Sequence, residues 1–535
     1  MYRRFLNQLA NLRVPTDGRT WFFVAYDQLN QDFAPWRDLP PASLGFVFCE
    51  TQWKPRQRAY HKQKLALLLS NQRHFALEQA ERGVAVHYVM GDDTYAALLR
   101  GAIADVGPLR MMEAAERELR VEVAPLVDEG LLRLVPHDGW LTTKDQFVDT
   151  MNGKVPWRMD AFYRGVRQDT GILMTPSGKP VGGQWSFDHE NRKPWKGTPA
   201  APTPLTFEVD AITQEVCDGI EQYYAHHPGT LQPDRIPATL DDAKRQWAWA
   251  QEACMTHFGT YEDAMNQAEP FLFHTRISGL MNLHRLLPRT VLADALALDI
   301  PLNSKEGFVR QILGWREYCR HVHRATDGFR DLPPALGWTA DNAGDSPSFL
   351  GAHRDLPPVF WGEKSGLNCL DHAVGEVWEH AYSHHINRLM ILSNWATLLD
   401  ISPRALTDWF WVGFEDAYDW VVEPNVLGMG TFAVGTLMVT KPYVSGSAYV
   451  NKMSDYCRSC QFNPKTTCPM TGLYWQFINR HREVLRTNPR MRMMLSMANK
   501  RSEAQKEADH ALFEAVWARL TTGETIDVHL FELAG

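Results

Sequence analysis

Cysteine is scarce in this chain, with eight in 535 residues. That count excludes a disulfide-stapled secreted scaffold and fits a reducing compartment in which thiols are kept for a purpose. Long apolar runs are lacking too, so no membrane-spanning helix and no membrane partner are expected. The first nineteen residues carry neither the apolar core nor the small-residue cleavage site of a signal peptide, and a cytoplasmic placement is expected. There is no excess of positive charge. The net charge of −8 leaves any nucleic-acid contact to a local patch. Neither G-x-G-x-x-G nor G-x-x-x-x-G-K-S/T occurs, which argues against a standard dinucleotide or P-loop site.

What is present starts with the cysteines themselves. Cys457, Cys460 and Cys468 fall within twelve residues, as C-x2-C followed by Cys468-Pro469. Two thiolates on one turn can reach a shared centre, and the third can fold back onto it. Soft thiolates suit zinc or an iron–sulfur cluster, and the spacing does not choose between them. Cys369, in Leu367-Asn368-Cys369-Leu370, is the best fourth ligand because unusual chemistry surrounds it. Cys49, Cys217, Cys254 and Cys319 are scattered and read as ordinary buried thiols.

Residues 18–140 alternate strand-like and helix-like segments. Trp21-Phe22-Phe23-Val24-Ala25-Tyr26, Gly45-Phe46-Val47-Phe48-Cys49 and Val84-Ala85-Val86-His87-Tyr88-Val89 are apolar runs of strand length. A helical pattern over 61–82 ends at Gly83. This rhythm predicts an α/β, doubly wound parallel sheet, whose ligands bind beyond the carboxyl ends of strands, where Asp27, Gln28 and Glu50 lie. Residues 141–235 form a proline-rich connector: ten of the 32 prolines fall between 151 and 240. Its mixture of Trp157, Arg158, Arg164, Trp185, Arg192, Lys193, Trp195 and Lys196 can hold phosphates and stack bases. From 236 to 535 the pattern is that of a large all-α domain.

Within that domain Thr275 and Ser278 stand near an expected helix start, a natural phosphate seat. One helix is predicted over 376–399, with His380, His384, His385, Asn387 and Arg388 crowded on its polar side. His380 and His384 have the i, i+4 spacing of zinc ligands. One histidine of the adjacent pair His384-His385 could instead move a proton in a cleft.

The whole pattern resembles the photolyase/cryptochrome superfamily, and within it the bacterial iron–sulfur branch that includes (6-4) photolyases. The resemblance runs nearly end to end. Its most specific segments are 307–318 (GFVRQILGWREY), 380–390 (HAYSHHINRLM), 424–429 (PNVLGM), 440–443 (TKPY) and 453–460 (MSDYCRSC). It implies FAD in the helical domain, with phosphates near Thr275 and Ser278. Arg310, Gln311, Trp315, Glu317, Asn387, Arg388 and Asn425 would line the pocket. It implies a [4Fe-4S] cluster on Cys369, Cys457, Cys460 and Cys468. His384 and His385 would face a UV lesion in DNA, with Tyr443 of the TKPY segment beside them. Trp409, Trp361 and Tyr418 would carry electrons to the flavin. Asp188 would lie near the lesion, with a divalent cation. Asp27, Gln28 and Leu29 match the strand end that binds a ribolumazine-like antenna chromophore in some members. Lys54 and Gln57 replace the acidic and tyrosine positions expected next, which points to a different chromophore or none. The implied activity is light-driven repair of UV-damaged DNA by a monomer, of the (6-4) photolyase type. The alternative is a cryptochrome-like blue-light receptor with the same cofactors and no repair.

Overall fold

The computed structural model describes residues 3–334 and 344–529. Five parallel strands make one sheet: β1 (Thr20–Phe23), β2 (Leu44–Thr51), β3 (Ala85–Gly91), β4 (Leu109–Met112) and β5 (Leu132–Val135), in the order β3-β2-β1-β4-β5. The chain starts in the centre, builds outward to β3, then crosses to the other side for β4 and β5. The strand direction of growth therefore reverses beside β1, the place where doubly wound sheets open a crevice.

The alternation of side chains along a strand assigns the two faces. Trp21 and Phe23 enter one core cluster with Val47, Cys49 and Leu99, while Phe22 and Val24 enter another with Phe46, Phe48 and Phe75. All eight residues of β2 are buried. Both faces are covered, which is why these strands read as continuous apolar runs rather than alternating ones. Gly45 stands opposite Trp21, and a Cβ there would come within 2.4 Å of the indole. The missing side chain is what lets the indole lie across β2.

The expected helix over 61–82 is present as Lys62–Glu81, followed by Gly83 at φ 89°. It joins the sheet to the helical part: its buried Lys64 donates from Nζ to the carbonyl of Trp411 at 2.7 Å. Backbone bonds cross the same boundary, from Leu29 N to Leu283 O and from His61 N to Val412 O, each 3.0 Å. The connector is more structured than its prolines suggest. It carries helices Lys144–Met151, Met159–Thr170 and Ala211–Tyr223, with extended chain confined to the stretches between them. Beyond it the described residues are predominantly helical, and no helix among them is long and apolar enough to cross a membrane.

One expected helix is broken. Instead of running unbroken over 376–399, the chain forms Asn368–His380, turns at Ala381 (φ 51°), and resumes at His385–Asn387. A wider, π-type turn over Arg388–Ser393 then leads into Asn394–Leu398. Competing hydrogen bonds explain the break. Ser383 Oγ donates to Glu376, Arg388 Nε donates to Ser383 O, and Glu415 N donates to Ala381 O. The last two take backbone carbonyls that a continuous helix would have used, and the first fixes the Ser383 side chain against the preceding helix. His380 and His384 are therefore not one turn apart on a shared face.

Candidate active site

The break lifts His384 and His385 out of helical register and sets them against His274. The rings of His274 and His384 stack at 4.7 Å with 6° between planes, and His385 meets His274 edge-on at 5.4 Å. His274 was visible in the sequence only as a neighbour of Thr275, and its role as the centre of this cluster comes from the fold. His384 and His274 are buried, and burial pushes both imidazoles well below their usual range, helped by neighbouring histidines and Arg388. They are neutral near pH 7. His385 differs. Burial opposes its charge, but Asp263 and Glu262 outweigh it and raise its pKa. Its Nε2 lies 3.6 Å from Asp263 Oδ1, and its side chain is 47% exposed. Asp263 also accepts from Tyr449 Oη at 3.1 Å. Asp263 and Glu262 thus favour the protonated form of the surface imidazole, while burial favours the neutral form of the two beneath it.

Behind the histidines, Arg388 grips Asp416 through two bonds of 3.0 and 3.1 Å, and Ser278 Oγ donates to the same carboxylate at 2.7 Å. These contacts hold Asp416 below the usual carboxylate range although burial alone would raise it. Thr275 is buried, its carbonyl taken by Gln246 Nε2 at 3.0 Å. His274 Nε2, both ring nitrogens of His384 and Arg276 Nε are buried polar atoms without a protein partner. An unpaired buried polar atom costs about 1–3 kcal/mol. Four of them gathered around the 274–278 turn fit a bound polar group such as a flavin nucleotide.

The 307–318 segment divides its residues. Arg310 lies 3.5 Å from Asp188 and 3.4 Å from Glu306, and Gln311 donates to Glu262 at 2.7 Å. This places both beside the carboxylates that charge His385. Trp315 Nε1 donates to Asn425 Oδ1 at 2.9 Å. Glu317 is fully buried and accepts from the backbone of Leu141 and Thr142, both at 3.0 Å, where the connector begins. Asp188 also pairs with Arg192, so a divalent cation there would share it with two guanidinium groups. Tyr443 is 40% exposed, and its hydroxyl feels the charges of Asp188, Arg192 and Asp263, which puts it on the rim of the histidine cluster.

Trp409 and Trp361 belong to one aromatic ladder, joined by a residue the sequence reading passed over. Trp409 is buried and meets Trp378 edge-on at 5.7 Å, and Trp378 stacks on Trp361 at 5.6 Å. Trp361 is 53% exposed. Both inner indoles donate to one acceptor, the carbonyl of Phe360, at 2.7 Å from Trp409 and 2.9 Å from Trp378. At the inner end Trp409 touches Phe414, over which the Arg388 guanidinium lies at 4.2 Å. Tyr418 is elsewhere: it stacks on Tyr26 at 6.3 Å and lines a separate cavity.

That cavity, about 720 Å³, opens beyond the carboxyl ends of β1 and β2 and is walled by Tyr26, Glu50, Lys54, Lys64, Tyr95 and Tyr418, among others. Asp27, Gln28 and Leu29 are buried just beyond Tyr26, and Asp27 Oδ1 and Gln28 Oε1 have no protein partner among the described residues. Gln28 Nε2 reaches Met112 O at 3.2 Å, and Leu29 is bonded to Leu283. Burial pushes the Asp27 carboxyl up to about 7. Lys54 Nζ, at a position marked as unusual from the sequence, binds Glu116 at 2.8 Å.

The four cysteines singled out from spacing line one cavity of about 370 Å³ with Trp395 and Tyr456. Among the described residues, no three His, Cys, Asp or Glu side chains converge closely enough to hold a single metal ion. The seven-residue return to Cys468 is made compact by the Asn463 carbonyl, which accepts from the backbone of Thr467 and Cys468 at 3.0 and 2.9 Å. Asn368, next to Cys369, donates to Tyr456 O at 2.8 Å and ties the upstream helix to the C-x2-C turn. Tyr456, the residue before Cys457, is bonded through its hydroxyl to Asn387 Nδ2 at 3.1 Å. Asn387 also donates to Glu376 at 3.0 Å. Two side chains therefore separate the cysteine cavity from the histidine segment.

Comparison with known proteins identifies the family. Residues 22–235 match the family model described as deoxyribodipyrimidine photo-lyase-related protein. A (6-4) photolyase of Agrobacterium fabrum (strain C58 / ATCC 33970) is 35% identical over 483 residues, spanning 87% of this chain and 92% of that protein. The crystal structure of a bacterial class III photolyase from Agrobacterium tumefaciens shares the fold with a TM-score of 0.54 at 15% identity, over 94% of this chain and 98% of that one. The parallel sheet, the helical remainder and the relationship over most of both sequences place this chain in the photolyase/cryptochrome superfamily.

Proposed function

We propose that this protein is a light-driven DNA photolyase that acts on the (6-4) pyrimidine lesion. The observation that carries the reading is the three-imidazole cluster, with His385 against Asp263 and, beneath it, His384 and His274 presenting ring nitrogens without a protein partner. In this reading residues 18–140 form the antenna-type domain, 141–235 the connector, and 236–535 the cofactor-binding domain.

FAD would be held by the 274–278 turn, by Arg388 with Asp416, and by Asn387 and Asn425; when reduced and bound it supplies the light-driven electron. Flavin chemistry cannot reach a base inside a duplex, so the lesion must be flipped out to the histidines. Arg388 fixes the polar floor of the pocket and keeps Asp416 ionised. His385 holds a proton at the surface and gives it to the lesion as negative charge arrives there, and Asp263 keeps that proton in place beforehand. Arg192 and Arg310, steadied by Asp188, bring positive charge to the rim where a phosphate would pass. Trp409, Trp378 and Trp361 form the route by which an oxidising equivalent leaves the pocket for solvent. Cys369, Cys457, Cys460 and Cys468, which line one shared cavity, would hold a [4Fe-4S] cluster, a centre that four thiolates suit. The 720 Å³ cavity beside Tyr418 has the size and the strand-end position for a second chromophore.

The deciding experiment illuminates reduced protein with oligonucleotides carrying either a (6-4) product or a cyclobutane dimer. Restoration of the (6-4) strand supports the reading, and failure on both lesions with normal photoreduction removes it. Two substitutions probe its parts. Asp263→Asn removes the charge that keeps His385 protonated, so the alkaline limb of the repair pH profile should move to lower pH, with FAD content unchanged; an unmoved limb would mean that His385 is not the titrating group. Trp378→Phe should slow blue-light photoreduction about tenfold or more while leaving repair by dithionite-reduced protein intact. Equal photoreduction in the variant would show that the ladder is not the route.

A further inference from the structure

The chain is acidic overall, yet residues 480–501 carry seven Lys or Arg against one Glu. The stretch covers the end of helix Pro469–Arg480, the turn Arg482–Leu485, Pro489–Met491 and helix Arg492–Asn499. Three of its cations are paired: Arg480 with Asp400, Arg486 with Glu483 and Arg501 with Asp509. Arg490, Arg492 and Lys500 are exposed and have no acidic partner among the described residues. Met493 and Met497, one turn apart on the same helix, are 67% and 45% exposed. Unpaired guanidinium groups around an apolar ridge do nothing for the stability of the fold. They match a surface that takes an anionic polymer with apolar faces between its charges.

Position selects the polymer. Asn488, in the middle of the basic stretch, donates to Thr440 O at 2.9 Å. Three residues on, Tyr443 stands on the rim of the histidine cluster within the field of Asp188, Arg192 and Asp263. Lys441, between them, is exposed. The basic stretch is thus tied through Asn488 to the largely exposed segment 440–443 that leads to the site. We infer that the 486–500 surface, led by Arg490 and Arg492, holds the sugar–phosphate backbone of the DNA strand flanking the flipped lesion, with Met493 and Met497 packed against its sugars. The inference rests on the DNA-repair reading above. Its contacts are to phosphate, so they position the strand and carry no lesion specificity.

The test uses full-length holoprotein and the Arg490→Ala/Arg492→Ala double variant. Binding is measured at several salt concentrations to a long lesion-bearing duplex, the same duplex undamaged, and a lesion oligonucleotide too short to leave the site. Loss of two phosphate contacts should make the plot of log K against log salt shallower by about 1.8 and weaken both long duplexes alike, by about tenfold or more at 0.1 M salt. The short oligonucleotide should bind both proteins equally, and repair at saturating substrate should be unchanged. An unaltered salt slope on the long duplex would overturn the inference while leaving the repair reading standing. Failure of the unmodified protein to bind any of the DNAs would overturn both. Unaltered DNA binding together with lost adsorption to phosphatidylserine vesicles would reassign the surface to a membrane and overturn the inference.

Discussion

His385→Ala should lower the rate of lesion repair about a hundredfold or more, with FAD content and photoreduction as in the unmodified protein. The magnitude is that of a positioned general acid, about 10²–10⁴-fold. Specificity to this residue comes from its surroundings. His385 is the one imidazole of the cluster whose pKa Asp263 and Glu262 raise, whereas burial pushes those of His274 and His384 down. His384→Ala is expected to act differently. It removes the ring that stacks on His274 and fills the floor, so it should weaken binding of the lesion as well as the rate. Stopped illumination with single-turnover product analysis separates the two. Full repair in both variants would remove proton transfer from the mechanism.

The second large effect is expected at the cysteines. Cys457→Ser should yield a protein without iron or acid-labile sulfide, without absorption beyond 400 nm from a cluster, and largely unfolded or insoluble at 37 °C. A structural metal centre contributes on the order of 10 kcal/mol, comparable to the whole stability of a domain. The fold gives a reason for so large a loss. The cavity joins the start of helix Asn368–His380 to a loop about ninety residues later, and Tyr456 continues that junction to Asn387 beneath the histidines. Cys254→Ser is the control: that thiol is buried but does not line the cavity. Iron analysis and thermal denaturation of both variants decide the matter. A folded Cys457→Ser protein with unchanged iron would exclude this thiol as a ligand.

What could be read from the sequence was whatever depends on local order. Apolar runs of strand length located the sheet, because a strand buried on both faces needs no alternation. C-x2-C with a third cysteine eight residues on marked a shared cavity, because the spacing itself brings thiols together. Periodicity failed at 376–399. The apolar stripe there is genuine, but Arg388 and Glu415 take the Ser383 and Ala381 carbonyls that a helix needs, and no propensity of Ala381 announces a left-handed turn. Residues that act through distant partners were invisible for a related reason. Trp378 sits among core positions of a helix, and only the approach of Trp409 and Trp361 from other segments gives it a role. Asp263 is an unremarked carboxylate until His385 arrives from more than a hundred residues away. The Asp27-Gln28-Leu29 strand end was read correctly as lying beyond a strand; what the sequence could not show is that the Leu29 backbone bonds to Leu283 across the boundary with the helical part.

The shared acceptor of Trp409 and Trp378 has a consequence for how long separated charge survives. An oxidised indole becomes strongly acidic at its N–H, and it is trapped once that proton leaves. The carbonyl of Phe360 can accept a hydrogen bond from both rings but cannot take a proton from either. A hole on the two inner rings therefore stays a mobile radical cation, free to move back as well as forward. Trp361, open to water, is where the proton can be lost. On the proposed route the ladder would act as a valve whose one irreversible step lies at the protein surface, and solvent isotope should slow that step without altering the hops behind it.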